Sequence, residues 1–311
     1  MPDTTSLPKS ILITGATGYI GTQLTNYLLE NEKLNATDLY AIVRPGKTSG
    51  FPINHCLWDL RNPLPEREFP QQIDAIIHLS AVRERSEDST KHLPHHIRIS
   101  VDAVARLYAW AQKHGVQRIV HMSSASVYEP GTDPKKLLSE HSPLVKPPAH
   151  PYALTKRWSD ELAAQFRTDI NSICILRPTQ VYGPDLDSQS SFKKLIHQIR
   201  SQEPFSIPAP DGHYVCPIYI QDLLNVIFHL LQTANNRTVV LQGPDFITTR
   251  EIITSMAEQL GVPAKITMDK TLNPQVLAFS PESMEDLDLD LGPHQPTTRW
   301  KEGMTKMISS L

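Results

Sequence analysis

Tyr152 and Lys156 stand four residues apart, and Ser124 lies upstream of them. On a helix, positions i and i+4 project from one face, so the phenol and the ammonium would sit side by side. A fixed positive charge beside a phenol favours the phenolate and lowers a tyrosine pKa from its usual ~10 toward the working range. A serine hydroxyl can hold a carbonyl or alkoxide oxygen while the tyrosine exchanges a proton with it. These groups together can pass a hydride to or from a carbon that bears oxygen. Tyr-x-x-x-Lys by itself occurs by chance in many helices, so the reading depends on the elements that would position it.

The first such element is Ile11-Leu12-Ile13-Thr14, a short apolar run that ends in Gly15-Ala16-Thr17-Gly18-Tyr19-Ile20-Gly21. A helix follows, with Ile20, Leu24 and Leu28 on its buried face. Strand, glycine turn and helix form the context in which a dinucleotide site is credible. Gly15 permits the tight turn, Gly18 lets backbone approach a pyrophosphate, and Gly21 lets the helix pack closely. The helix N-terminus then meets the phosphate charge.

The second strand reads Leu39 to Val43 and runs into Arg44, with Lys47, Thr48 and Ser49 close behind. NAD sites place an acidic residue on the ribose about 20 residues beyond the glycines. Asp38 is at the wrong end of the strand and Arg44 occupies the place, which suits a 2′-phosphate and predicts NADP ahead of NAD. Asp59-Leu60 closes the next strand, where it would cap the adenine. Ala75 to Ala81 reads as a buried parallel strand running into small residues, Leu79-Ser80-Ala81, beside the cofactor. His78 within it reads as a core histidine with a satisfied ring. No carboxylate or cysteine is spaced to complete a metal site with His92, His95 and His96, and no metal is expected.

A helix is predicted over Ser100 to His114, burying Val101, Val104, Leu107, Tyr108 and Ala111 and ending at Gly115. The strand Arg118 to Met122 leads into Ser123-Ser124-Ala125-Ser126-Val127-Tyr128, at the end of the sheet where ligands sit in open α/β folds. Pro143, Pro147, Pro148 and Pro151 precede the helix of Tyr152 and Lys156. Leu154, Trp158 and Leu162 would pack that helix and leave the Tyr–Lys face accessible.

At 311 residues, 40% hydrophobic and 20% charged, the chain suits one large α/β domain with a smaller partner. A net charge of −3 gives no reason to expect nucleic acid or an anionic membrane as partner. No apolar run nears the ~18 residues of a membrane span. The polar stretch before Ile11 does not read as a signal peptide. Three dispersed cysteines, Cys56, Cys174 and Cys216, argue against a disulfide framework. A soluble cytoplasmic protein is expected.

Four motifs in order now carry a family resemblance. Thr14-Gly15-x-x-Gly18-x-x-Gly21, Ser123-Ser124-x-x-Val127-Tyr128, Tyr152-x-x-x-Lys156 and Arg177-Pro178-x-x-Val181-Tyr182-Gly183-Pro184 together resemble the extended short-chain dehydrogenase/reductases. This is the NAD(P)-dependent epimerase/dehydratase family, which acts largely on nucleotide sugars. The resemblance implies a Rossmann-type doubly wound parallel sheet with a smaller C-terminal α/β substrate domain. The expected division is a cofactor domain over 1–178, with 218–243 returning to it, and a substrate domain over 179–217 and 244–311. Tyr219-Ile220-x-Asp222-Leu223 resembles the return to the core, and Thr248-Thr249-Arg250-Glu251 the start of a late helix.

The resemblance implies Ser124, Tyr152 and Lys156 as the catalytic trio. It implies cofactor contacts at Gly15, Thr17, Gly18, Tyr19, Ile20, Arg44, Asp59, Leu60, Leu79, Ser80, Ala81, Tyr152, Lys156 and Pro178. Substrate contacts fall on Ser124, Ser126, Gln180 and Arg83. Departures narrow the expectation. Ser100 stands where the family usually has asparagine. Ala125 and Ser126 follow Ser124 where 4,6-dehydratases carry an Asp-Glu pair. Val215 occupies the place of a diphosphate-binding arginine, and Arg177, Lys193, Lys194, Arg250 and Arg299 are the other cations at hand.

Reduction of a keto-sugar nucleotide by exchangeable NADPH is therefore the expected reaction. A 4-epimerase with retained cofactor, a reductase of a smaller ketone or aldehyde, and a non-catalytic NADP-binding sensor or assembly protein are the alternatives. Family members often dimerise through helices equivalent to 100–114 and 152–168, so a homodimer is expected. Near the C-terminus, alternating Asp and Leu over 286–291 lack the glycine and glutamate of a calcium loop and read as an extended segment.

Overall fold

The computed structural model describes residues 7–30, 34–82, 89–188, 190–233, 236–280, 291 and 294–311. Arg83 and the Asp-Leu run up to Asp290 lie outside them. The chain divides into two compact units. The first takes Met1–Val127, Leu144–Arg177 and Val226–Val239, and the second Tyr128–Pro143, Pro178–Asn225 and Val240–Leu311.

The first unit is built on β1 (Ile11–Thr14), β2 (Leu39–Val43), β3 (Asn54–Leu57), β4 (Ala75–His78), β5 (Arg118–Met122) and β6 (Ser172–Pro178). Adjacent members pair in parallel. The sheet runs Thr238–Leu241, β6, β5, β4, β1, β2, β3, so its strand order reverses between β1 and β4. That reversal opens a crevice at the carboxyl ends of the strands, the place where doubly wound sheets take ligands. The helices of this unit include α1 (Tyr19–Glu30), α2 (Ser89–Ile97), α3 (Ala103–Lys113) and α4 (Pro151–Gln165), and the helix Ile220–Gln232 enters it from Val226 onward.

Strand alternation explains what lies under α3 and α4. Leu12, Ile76, Ile119 and Ile173 are in register across four strands and join Val104, Leu107, Trp110 and Ala111 of α3 in one apolar cluster. Each fully buried aliphatic side chain of this kind is worth roughly 2–3 kcal/mol. Two residues further along, on the same face, the row changes character to Thr14, His78, His121 and Ile175. A hydrophobic layer thus gives way to a buried polar one nearest the ligand end.

The expected helix from Ser100 starts earlier. It is preceded by α2 and a π-helical stretch, Arg98–Asp102, in which Ser100 is buried. Its inner face carries the buried His96, a residue type that hides the apolar period from a sequence reading. Val101 is half-buried, whereas Val104, Leu107, Tyr108 and Ala111 are buried as expected. β4 ends at His78, short of the predicted Ala81, because the Leu79 and Ser80 N–H groups turn to Thr14. β3 likewise ends at Leu57, two residues before Asp59.

The second unit carries short strand pairs and the helices Ser191–Arg200, Thr249–Leu260 and Trp300–Ser309. Thr248 caps the second of these, its hydroxyl accepting from the Glu251 N–H while the Glu251 carboxylate accepts from the Thr248 N–H, so the Thr-Thr-Arg-Glu signal marks a helix start. Tyr182, Phe192, Tyr219 and Trp300 form an aromatic cluster. A Cβ on Gly303 would lie 2.6 Å from the Tyr182 hydroxyl, which explains a glycine inside the last helix. Among the described residues no helix is long and apolar enough to cross a membrane.

Candidate active site

Ser124 is the second residue after β5 and is half-buried. Its Oγ accepts from the Ser126 N–H at 3.2 Å and from the Ser126 hydroxyl at 2.9 Å. Both contacts use lone pairs, so Ser124 keeps its own O–H as a donor. Ser126, expected at the substrate, is thereby placed against Ser124.

α4 opens with His150 as its cap, whose Nδ1 accepts from the Tyr152 N–H at 3.2 Å, and with Pro151 at the first helical position. Tyr152 in the first turn is half-buried. Lys156, one turn on, is 3% exposed, and its Nζ donates to the Met122 carbonyl. The expected accessible Tyr–Lys face is corrected here: the phenol end is half-buried, and the ammonium is packed inside against β5. α4 also packs against the turn Ala125–Val127 that follows Ser124. The fold therefore brings Ser124 and Lys156 to one end of β5, with Tyr152 one helical turn before Lys156 on α4.

Burial pulls the Lys156 pKa down from 10.5 to about 8, with Asp160 acting in the opposite direction. Asp160 is itself buried. Its Oδ2 accepts from Arg177 Nε at 2.9 Å and from the Ser123 hydroxyl at 2.8 Å. Burial alone would raise this carboxyl, but His121, Arg177 and Ser123 together hold it below the ordinary range. His78 is a buried core histidine, its Nδ1 3.0 Å from the Thr14 hydroxyl. That hydroxyl oxygen already accepts from the Leu79 and Ser80 N–H groups, both at 3.1 Å, so its proton goes to the imidazole. The His78 ring is stacked on His121 at 5.4 Å, and burial holds both rings neutral, below their usual pKa.

The glycine loop has the shape a dinucleotide needs. Gly15 has φ +72°, and a Cβ there would meet the Ser80 nitrogen at 3.0 Å. A Cβ on Gly21 would stand 2.2 Å from the Gly15 carbonyl oxygen, so close packing of α1 on its own loop excludes any side chain. Gly18 N–H donates to the Gly15 carbonyl at 2.9 Å and closes the turn. The first turn of α1 carries no acidic side chain to oppose a phosphate. Thr17 is exposed, Ile20 half-buried and Tyr19 buried; Leu79, Ser80 and Ala81 are half-buried.

Arg44 is exposed immediately after β2. Asp59 is held by Arg61, whose Nε and N–H both donate to its Oδ1; this pair, more than the pull of Arg44, takes the carboxyl down to about 2. The Leu60 carbonyl faces Arg106 at 3.5 Å. In the second unit, Pro178 ends β6, and the Gln180 carbonyl accepts from the Ile218 N–H at 2.9 Å. The Gln180 Oε1 is buried with no hydrogen-bond partner among the described residues. No cluster of three or more His, Cys, Asp or Glu able to hold a metal occurs among the described residues.

His121 and Asp160 lie in this site without having been singled out from the sequence, and Thr14 and Tyr108 were read there only as part of the glycine motif and of a buried helix face. The i+4 spacing of Lys156 and Asp160 was a usable signal for one of them. The two histidines share a layer only because β4 and β5 are adjacent and in register.

A strand order that reverses beside a glycine turn, with this trio at the strand ends, defines a Rossmann-type nicotinamide-dependent enzyme. The chain belongs to the NAD dependent epimerase/dehydratase family, whose model matches residues 11–241. It is 26% identical to an uncharacterized UDP-glucose epimerase, YtcB, of Bacillus subtilis, over 97% of both chains. Among solved structures it is similar to a UDP-glucuronic acid 4-epimerase of Bacillus cereus in complex with UDP-glucuronic acid and NAD (22% identity, TM-score 0.78, 97% of this chain and 98% of that one). It is equally similar to DesIV, a dTDP-glucose 4,6-dehydratase of Streptomyces venezuelae (20% identity, TM-score 0.80, 97% and 96%). At such identities these structures speak for the fold alone.

Proposed function

We propose that this enzyme transfers a hydride at an oxygen-bearing carbon of a nucleotide sugar, and that its net reaction is 4-epimerisation on a retained NAD. The observation that carries this reading is the meeting of Ser124 and the first turns of α4 at the ligand end of β5, with Lys156 buried behind them. When bound, the nicotinamide supplies the hydride acceptor and donor. The residues do the rest. Tyr152 takes the proton of the sugar hydroxyl and later returns it, Lys156 favours the phenolate, and the Ser124 O–H steadies the oxygen as its charge changes.

Epimerisation, in place of the reduction expected from the sequence, is supported by the relative at 26% identity over 97% of both chains, which is named a UDP-glucose epimerase. NAD takes precedence over NADP because the family is described as NAD dependent, in keeping with neighbours of like fold that are described with NAD. Ala125 and Ser126 offer no carboxyl group beside Ser124, which speaks against elimination of water. Gln180, with its unpaired buried Oε1, is assigned to the substrate. A second reading, reduction with exchangeable NADPH, is favoured by Arg44, which stands exposed where a 2′-phosphate would be read.

Incubation with UDP-glucose, UDP-galactose and the corresponding uronic acids, followed by NMR, tests the assignment. The expected result is interconversion of C4 epimers without consumption of added cofactor, strongly slowed in Tyr152→Phe. Stoichiometric NADPH consumption with a 4-keto sugar nucleotide and no epimerisation would replace it by the reductase.

A further inference from the structure

Lys156, Ser159 and Asp160 lie on one face of α4, at i, i+3 and i+4. Three consecutive β5-end residues meet them. The Met122 carbonyl accepts from Lys156 Nζ. The Ser123 hydroxyl donates to Asp160 Oδ2. His121 Nε2 is 3.3 Å from Ser159 Oγ and 3.5 Å from Asp160 Oδ1, the latter an electrostatic contact longer than a good hydrogen bond. The Ser159 hydroxyl already donates to the Lys156 carbonyl at 2.9 Å, so the His121 Nε2 must carry the proton between them. Nδ1 then accepts from the Tyr108 hydroxyl at 2.7 Å.

All of these side chains are buried, and burying charge is expensive unless it is matched. In the first unit Asp160 is the only buried carboxyl among the described residues. Arg177 shares it at one oxygen; Lys156 is one helical turn away. An apolar residue would fill the Asp160 site without that expense.

Resting on the reaction assigned above, we propose that Asp160 is a positioning residue that keeps the Lys156 ammonium charged inside the fold, held ionised for that purpose by Arg177, Ser123 and His121. The groups that bear on Lys156 are Asp160 of α4, His121 of β5 and His78 of β4, with Tyr152 one turn before it on α4. Tyr108 of α3, Arg177 of β6 and Arg167 beyond α4 stand behind them, and the buried His96 lies on α2, which packs on α4. Both imidazoles are neutral and Arg167 and Arg177 are cationic, so Asp160 is the one group in this set whose negative charge opposes desolvation. Without it, burial acts on Lys156 unopposed.

The test is a pH titration of the full chain with [13Cε]lysine, the Lys156 signal assigned by its loss in Lys156→Met. Neither substrate nor turnover is needed, so the outcome stands apart from whether the reaction reading holds. The wild-type midpoint is expected at about 8, and Asp160→Asn should move it down by about one unit or more, a tenfold loss of proton affinity. Asp160→Glu should restore it. A folded Asp160→Asn chain with an unmoved midpoint overturns the proposal. If that variant does not fold, [13Cγ]aspartate in the wild type serves instead: the Asp160 carboxyl signal should inflect at the lysine midpoint, and a flat trace overturns the proposal equally.

Discussion

The glycine loop and the β5–α4 interface reach the same end of the sheet by opposite means. The loop is shaped by what is missing: no Cβ fits at Gly21, and Gly15 holds a left-handed φ. The interface is shaped by what is present, a set of buried hydroxyls, imidazoles and one carboxylate that tie α4 to β5. A site made by omission tolerates almost no addition. One made by polar contacts gives way by degrees, and can be charged or discharged without being rebuilt.

The largest effect should come from chemistry on the interface side. Tyr152→Phe removes the proton carrier and leaves packing intact, so turnover should fall 10²–10⁴-fold with an unchanged melting temperature; steady-state kinetics beside a thermal melt checks both halves. On the loop side, Gly21→Ala forces a methyl into the Gly15 carbonyl. About 3 kcal/mol of stability should be lost together with NAD affinity, readable by urea denaturation and a cofactor titration. Equal stability in this variant would erase the contrast between the two regions.

Lys156→Met should separate function from stability. An ammonium with a folded pKa of about 8 and an unfolded value of 10.5 binds its proton less tightly in the folded chain. Below pH 8 it therefore destabilises the fold, by on the order of 3 kcal/mol, and the burden lifts as pH rises from 8 to 10.5. The variant should be inactive yet melt higher than wild type at pH 7, the gap closing toward pH 10.5. A lower melting point at pH 7 would mean that the hydrogen bond to Met122 outweighs desolvation. The smallest effect is expected where the two regions join. Thr14→Val strands the Ser80 N–H, while the Leu79 N–H keeps its bond to the Thr14 carbonyl, and should cost about 1–3 kcal/mol. Amide hydrogen exchange at Ser80 should quicken.

The loop was legible because its constraint is local. Positive φ and helix contact act within Gly15 to Gly21, so residue type and spacing suffice. The same holds for Thr248-x-x-Glu251 and for Gly115 after α3, where neighbouring backbone groups decide the outcome. Tyr152 and Lys156 were placed on one helix face by period alone. Their unequal burial was not legible, since it depends on Met122, a residue 34 positions from Lys156 along the chain.

By itself the sequence determined the order of elements, the glycine turn and the residue types available for proton and hydride exchange. Each of these follows from interactions between neighbours in the chain. Only the tertiary structure decided that Thr14, His78 and His121 form one layer, that Arg177 and Ser123 share Asp160, and that Lys156 is enclosed. Strand register and helix packing set those contacts, and burial then fixes which charges survive. A pattern can name an ionisable group, but the surroundings that set its proton affinity come from distant parts of the chain.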